Sequence, residues 1–218
     1  MILCPSMMCA SFDNLAEDVR VLDDAGTDIF HCDVMDGSFV PNMALGPHDI
    51  KCIRSNTKKP VDAHLMIENP GNKVEWFIDL GCDIIYIHPE SERYVVRTLA
   101  KIRNAGRKAG LAINPDTSIE TVREMLHMCD CVMAMTVSPG FAGQKYLEFV
   151  TEKVTALAKL KNQFGFTLMI DGACSPEKIQ ELTQKGADGF VLGTSALFGK
   201  GKPYAEIFKE LRKKERKL

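Results

Sequence analysis

Short apolar runs alternate along the chain with segments whose apolar positions recur every three to four residues. The runs fall at residues 2–7, 28–34, 61–66, 84–88, 109–113, 131–136, 167–171 and 189–192. Their length and near-continuous apolarity predict eight strands buried on both faces. Between them, "NLAEDVRVLDDAG" puts Leu15, Val19 and Leu22 on one helical stripe. In "SPEKIQELTQKG", Ser175 is placed to cap a helix, Pro176 to open its first turn and Gly186 to end it. The segments "AGTDIF", "LGCDII" and "KGADGF" repeat one phrase: a helix-ending glycine, one residue, an aspartate, then a strand. Strands alternating with helices predict a parallel sheet. Eight such units in 218 residues predict one (β/α)8 TIM barrel, a single domain spanning 1–218. A doubly wound sheet would have fewer strands and a glycine-rich first turn. The first strand here runs into "MMCASFDN", which has no glycine.

Composition narrows the function classes. A net charge of −2 gives no electrostatic reason to bind nucleic acid or an anionic membrane. No run of about 18 apolar residues is present to span a bilayer. The opening "MILCPSMMCASF" lacks the basic start and long apolar stretch of a secretory signal. Eight cysteines, with no CxxC pair, read as mostly buried, reduced thiols of a cytoplasmic protein. The basic tail "LRKKERKL" reads as the solvated end of a last helix, where cations suit the dipole.

In a barrel of this kind the chemistry sits at the C-terminal ends of the strands. Side chains alternate along a strand, so His31, Asp33 and Met35 share one face of the second strand, as do Asp62, His64 and Met66 on the third. Ser6 ends the first strand, Met133 and Met135 share a face of the sixth, and Asp171 ends the seventh. A lone histidine here would ordinarily be a satisfied core residue, and a lone aspartate a cap. Two of each on one rim read instead as a metal site: His31, Asp33, His64 and Asp171, a donor set suiting Zn²⁺, Fe²⁺, Mn²⁺ or Co²⁺. Glycine-bearing turns follow strands six, seven and eight: "PGFAGQ" (139–144), "DGAC" (171–174) and "GTS" (193–195). Backbone N–H groups in such turns, next to helix N-termini, predict a phosphate site. Met35, Met66 and Met135 read as core filler or as a polarizable lining that cannot donate a proton to a carbanion. His48 and His127 fall in helical segments, His88 receives no role, and Asp36, off the metal-facing parity, reads as structural.

These residues carry a resemblance. "PSMMCASF", "HCDVMDGSFVPN", "DAHLM", "MTVSPGFAGQ", "IDGACSPE" and "GADGFVLGTSALF" resemble the ribulose-phosphate 3-epimerase family nearly end to end. The resemblance implies an isomerase that epimerises C3 of a phosphorylated ketose through an enediolate, with one divalent metal, usually zinc or iron, on His31, Asp33, His64 and Asp171; a homo-oligomer is expected, although the sequence leaves the oligomeric state open. It also implies that Asp33 and Asp171 act as acid and base on opposite faces of the substrate, and that Ser6 contacts the sugar. Met35, Met66 and Met135 would cap the intermediate. The turns at Gly140, Phe141, Ala142 and Gly143, at Gly172 and Ala173, and at Gly193, Thr194 and Ser195 would hold the phosphate. Ribulose 5-phosphate is the first substrate on family frequency. Ala173–Cys174 and Gly193–Thr194–Ser195 are similar to the branch acting on allulose 6-phosphate, which stands beside it. A sugar-phosphate lyase would carry Asp-x-Lys-x-x-Asp, whereas the matching stretch is Asp33-Val-Met-Asp36 without a lysine. A catalytically inactive barrel would be expected to have lost a ligand, and all four positions are filled.

Overall fold

The computed structural model describes residues 1–215. Eight strands lie in one parallel sheet: β1 (Ile2–Pro5), β2 (Phe30–Met35), β3 (Val61–Met66), β4 (Ile84–Ile87), β5 (Lys108–Ile113), β6 (Cys131–Met135), β7 (Thr167–Asp171) and β8 (Gly189–Leu192). The helices between them are α1 (Leu15–Ala25), α2 (Pro47–Ser55), α3 (Val74–Asp79), α4 (Val95–Asn104), α5 (Ile119–Val122), α6 (Val150–Phe164), α7 (Pro176–Gln184) and α8 (Tyr204–Glu215). The sheet runs β1-β8-β7-β6-β5-β4-β3-β2 and closes into a barrel where Ser6 bridges His31. β1 is shorter than the apolar run suggests. Its last residues turn into a 3-10 segment, Met7–Cys9, in which Met7 stays fully buried.

The helices form where the pattern placed them. α1 buries Leu15, Val19 and Leu22 and ends at Gly26 in the left-handed region, φ 106°. α7 is capped by Ser175, whose hydroxyl oxygen accepts from Lys178 N at 3.3 Å. Two apolar layers result. One lies between sheet and helices. The other fills the barrel, with Cys4, Ile84, Tyr86, Ala112, Cys131, Met133, Met135, Met169 and Val191. Gly110 makes room there: a Cβ on it would lie 2.2 Å from Tyr86 Cδ1. All eight cysteines are free thiols.

The repeated aspartate phrase has a physical basis at the barrel's N-terminal end. Asp28, Asp83, Asp130 and Asp188 precede the even strands, and each carboxylate accepts from the backbone of the odd strand before it: Leu3 N at 2.8 Å, Val61 N at 2.9 Å, Ala109 N at 2.9 Å and Leu168 N at 2.8 Å. Arg212, Arg54, Arg103 and Lys161 face these carboxylates. Asp130 belongs to the set without the glycine. The basic tail is thus not simply solvated. Leu211 is buried, and Arg212 donates to Asp28 and to the carbonyls of Met1 and Gly26. Residues 216–218 of that tail lie outside the described residues. Among the described residues, no helix is long and apolar enough to cross a membrane.

Candidate active site

Register assembles the opposite, C-terminal rim. β2 and β3 pair so that His31 faces Asp62, Asp33 faces His64 and Met35 faces Met66. On β6 and β7, Met135 faces Asp171. One-residue slips would turn every one of these side chains to the other face. The four expected ligands therefore converge: His31, Asp33, His64 and Asp171 each offer an atom within 4.8 Å of the others. His31 Nε2 lies 3.2 Å from Asp33 Oδ1 and 3.9 Å from Asp171 Oδ2. His64 Nδ1 lies 3.4 Å and 3.5 Å from the same two oxygens.

These groups are buried, and their ionisation reflects one another. Burial alone would lower the affinity of His31 for a proton, but the charges of Asp62 and Asp33 outweigh it and raise its pKa well above the usual range. His64 is raised in the same way, burial being overcome by its contacts with Asp171 and Asp33. Burial would raise the Asp33 carboxyl, yet His31 and His64 beside it hold it well below the usual carboxylate range.

The residues fit a divalent cation. The buried His64 Nδ1 faces two carboxylate oxygens at 3.4 Å and 3.5 Å, beyond ordinary hydrogen-bond length, as atoms that share a cation would be. Two carboxylates balance a double positive charge, and the outer ring nitrogens are engaged elsewhere: His31 Nδ1 lies 2.8 Å from Asp62 Oδ1, and His64 Nε2 lies 2.8 Å from His88 Nε2. The sequence reading gave neither Asp62 nor His88 a role. Parity could have found both, since Asp62 shares a face with His64 and His88 follows Tyr86 by two residues on β4's inward face. Burial pushes the His88 imidazole down to about 4, with Glu90 opposing.

A cleft opens above these four side chains. It is lined by Ser6, Asp33, Met35, Met66, Met135 and Asp171 and by the three glycine-bearing turns, including Gly140, Phe141, Ala142, Gly143, Gly172, Ala173, Gly193, Thr194 and Ser195. His31 and His64 lie fully buried behind this lining. Ser6 Oγ donates to Asp33 Oδ2 at 2.6 Å. Met35 and Met66 join Val40 in an apolar cluster on one wall. Cys9 and Gln144 also line the cleft, and the sequence reading missed them. Gln144 Nε2 donates to Ser138 O at 2.6 Å and Phe141 O at 3.0 Å, stapling its own turn. Gly172 has φ 110° and no room for a Cβ, which would lie 2.7 Å from Val137 Cγ2. Thr136 Oγ1 donates to the Gly172 carbonyl. Ala173 adopts φ 45°, uncommon for a residue with a side chain. His48 and His127 lie in helical segments away from the cleft, and Asp36 accepts from the backbone N–H groups of Ser38, Phe39 and Glu68, as a structural residue would.

Comparison with known proteins agrees with this geometry. The family model described as the ribulose-phosphate 3-epimerase family matches residues 2–198. The chain is 38% identical over 219 residues to a ribulose-phosphate 3-epimerase of Synechocystis sp., covering 99% of this chain and 94% of that one. It is 38% identical to the chloroplastic ribulose-5-phosphate-3-epimerase of Arabidopsis thaliana, covering 99% and 77%. It is also 38% identical to a ribulose-phosphate 3-epimerase of Aquifex aeolicus, covering 91% and 90%. Among solved structures, a thiamine phosphate pyrophosphorylase from Pyrococcus furiosus superposes with a TM-score of 0.69 at 15% identity, over 99% of this chain and 95% of that one. N-(5'-phosphoribosyl)anthranilate isomerase from the same organism superposes at 0.68 and 13%, over the whole of both chains. These distant likenesses concern the barrel alone. With the family model spanning the barrel and relatives this similar over nearly full length, the chain belongs to the ribulose-phosphate 3-epimerase family.

Proposed function

We propose that the protein interconverts D-ribulose 5-phosphate and D-xylulose 5-phosphate by moving a proton on and off C3. The observation that carries this reading is the approach of Asp33 and Asp171 to one buried donor cluster from two separated strands. β2 and β7 stand three of eight steps apart around the barrel. Their carboxylates can therefore address opposite faces of a substrate lying across the mouth. One takes the proton from C3 and the other returns a proton from the other side. Positioned acid–base groups of this kind contribute about 10²–10⁴-fold each.

The other residues fit this chemistry. His31, Asp33, His64 and Asp171 would hold one divalent cation, Zn²⁺ first, with Fe²⁺, Mn²⁺ or Co²⁺ as alternatives. When bound, the cation supplies Lewis-acid stabilisation of the enediolate, worth roughly several kcal/mol. Ser6 holds Asp33 Oδ2 and reaches the sugar. Met35, Met66 and Met135 give the carbanion neighbours without an acidic hydrogen. The backbone of Gly140–Gly143, Gly172–Ala173 and Gly193–Ser195 receives the phosphate. The free thiols support a reducing, cytoplasmic compartment.

The relatives' names favour the pentulose over the hexulose phosphate. The experiment follows purified, zinc-loaded protein in D₂O by proton NMR, with ribulose 5-phosphate and allulose 6-phosphate in separate tubes. Loss of the C3 proton with growth of xylulose 5-phosphate is expected in the first. Faster turnover of allulose 6-phosphate would reassign the substrate, and silence in both would remove the epimerase reading.

A further inference from the structure

A line of three side chains leads from His64 through His88 to the part-exposed Glu90. His64 Nε2 lies 2.8 Å from His88 Nε2. The two rings are stacked, with centroids 5.0 Å apart and 22° between their planes. His88 Nδ1 lies 3.3 Å from Glu90 Oε2. Both imidazoles are fully buried. Glu90 is itself fixed, since its Oε1 accepts from Asn114 N at 3.0 Å and from Thr117 Oγ1. Lys153 on α6 then ties down the carbonyls of Asn114, Pro115 and Thr117 at 2.8, 2.7 and 2.7 Å.

With a cation on the proposed ligands, proton accounting along this line has one consistent solution. His64 Nδ1, the atom facing Asp33 and Asp171, then presents its lone pair to the cation, so the hydrogen of the ring is on Nε2. Two nitrogens 2.8 Å apart share one hydrogen, so His64 Nε2 donates and His88 Nε2 accepts. The hydrogen of His88 is then on Nδ1, the atom turned toward Glu90. We infer that His88 and Glu90 are positioning residues that hold His64 as its Nε2–H tautomer and present Nδ1 as a ready ligand. This rests on the metal-binding reading above.

His31 shows the contrasting solution. It faces the cluster through Nε2, and its outer nitrogen meets a carboxylate directly, Asp62 Oδ1 at 2.8 Å. A second such carboxylate against His64 would put a fourth buried negative charge beside Asp33, Asp62 and Asp171. The neutral His88 ring instead carries the orienting hydrogen bond outward to Glu90, whose side chain is 21% exposed. The tautomer is fixed without adding charge to the pocket. Outer partners of this sort are typically worth 10–100-fold in metal affinity.

The test combines ring-proton spectroscopy with metal affinity. Long-range ¹H–¹⁵N correlation on zinc-loaded, ¹⁵N-histidine-labelled protein is expected to show His64 protonated at Nε2 and His88 at Nδ1. Zinc affinity is measured by competition with a chromophoric chelator on the wild type, His88→Phe, His88→Gln and Glu90→Gln. His88→Phe, which removes the acceptor, is expected to weaken zinc binding about 10–100-fold, and Glu90→Gln less than that. His88→Gln keeps an acceptor oxygen and is expected to recover most of the loss, which a purely space-filling role for the ring would not produce. A hydrogen on His64 Nδ1 in the zinc-loaded wild type overturns the inference. So does wild-type affinity in folded His88→Phe; should that variant not fold, the ring-proton spectra and Glu90→Gln decide. A wild-type protein that takes up no zinc removes the metal reading itself, and the inference with it.

Discussion

Replacing one carboxylate of the proposed pair leaves the other half of the proton transfer standing, and the two halves can be read separately. With Asp33→Asn, Asp171 remains, and it can remove the C3 proton only from the epimer whose C–H bond faces it. In D₂O that epimer is expected to take up deuterium at C3 while the other stays protiated, and Asp171→Asn is expected to reverse the pattern. Net epimerisation needs both groups, so it falls in each variant by about 10²–10⁴-fold, or about 3–5 kcal/mol of barrier. The structure sets the order within that range. Asp33 is 3% exposed, holds Ser6 Oγ at 2.6 Å and sits between two imidazoles, so its loss disturbs three neighbours and belongs at the upper end. The Asp171 side chain, 15% exposed at the mouth, meets the two rings at the longer distances of 3.5 and 3.9 Å and belongs lower. Both residues are also proposed ligands, so exchange is measured by ¹H NMR only on variants shown by atomic absorption to carry one equivalent of zinc. Equal deuterium uptake into both epimers by Asp33→Asn would mean that one group serves both faces, and would refute the paired arrangement.

Three further outcomes follow from the same geometry. Asp188→Ala removes the carboxylate that accepts from Leu168 N and pairs with Lys161 at the far end of the barrel. A part-exposed charged hydrogen bond of this kind predicts a loss of about 1–2 kcal/mol in urea unfolding with unchanged zinc affinity, and a change in zinc affinity would contradict the separation of the two ends. Ala173→Gly relieves a left-handed residue at φ 45°, a gain of about 1–2 kcal/mol set against about 0.5–1 for the freer glycine in the unfolded chain. The variant is expected to be equally or slightly more stable by thermal melting; a clear loss would show that the side chain itself is needed. Burial would raise the Asp36 carboxyl, but the N–H groups of Glu68, Ser38 and Phe39 and the Lys73 charge hold it below the usual carboxylate range. A carboxyl depressed by folding stabilises above its unfolded pKa and loses that contribution as pH falls through the folded one. The stability advantage over Asp36→Asn, measured by denaturant titration, should therefore be full near neutral pH and shrink below about pH 4; an advantage that grew on acidification would reverse the sign.

The barrel was legible because a strand covered on both faces has to be apolar at nearly every position. β4 reads Ile84-Ile85-Tyr86-Ile87 and stands out from its surroundings without any alignment. The same signal overran the end of β1. Met7 is as buried as a strand residue, yet its backbone has already turned, and apolarity reports burial rather than φ and ψ. The tail failed for a different reason. Arg212 looks like one more solvated cation until its partner Asp28, at the other end of the chain, is brought beside it by closure of the barrel. A periodicity within one helix carries no information about such a pair.

The site divides along the same line. His31, Asp33, His64, Met35 and Met66 were found because parity on two adjacent strands is a local property, and the in-register pairing of β2 with β3 converts it directly into proximity. Asp171 was found because it ends a strand, where a barrel gathers its chemistry. Asp62 and His88 were not, although both are fully or almost fully buried polar groups on the inward parity. Their partners are ring nitrogens of other residues, Nδ1 of His31 and Nε2 of His64, and a sequence shows a histidine without showing which nitrogen it turns inward. Once the two rings are seen to face the cluster through different nitrogens, each outer nitrogen must meet an acceptor, and only Asp62 and His88 lie in reach among the described residues. What the sequence hid was therefore the orientation of the two rings, because orientation is set by contacts between strands and identity is not.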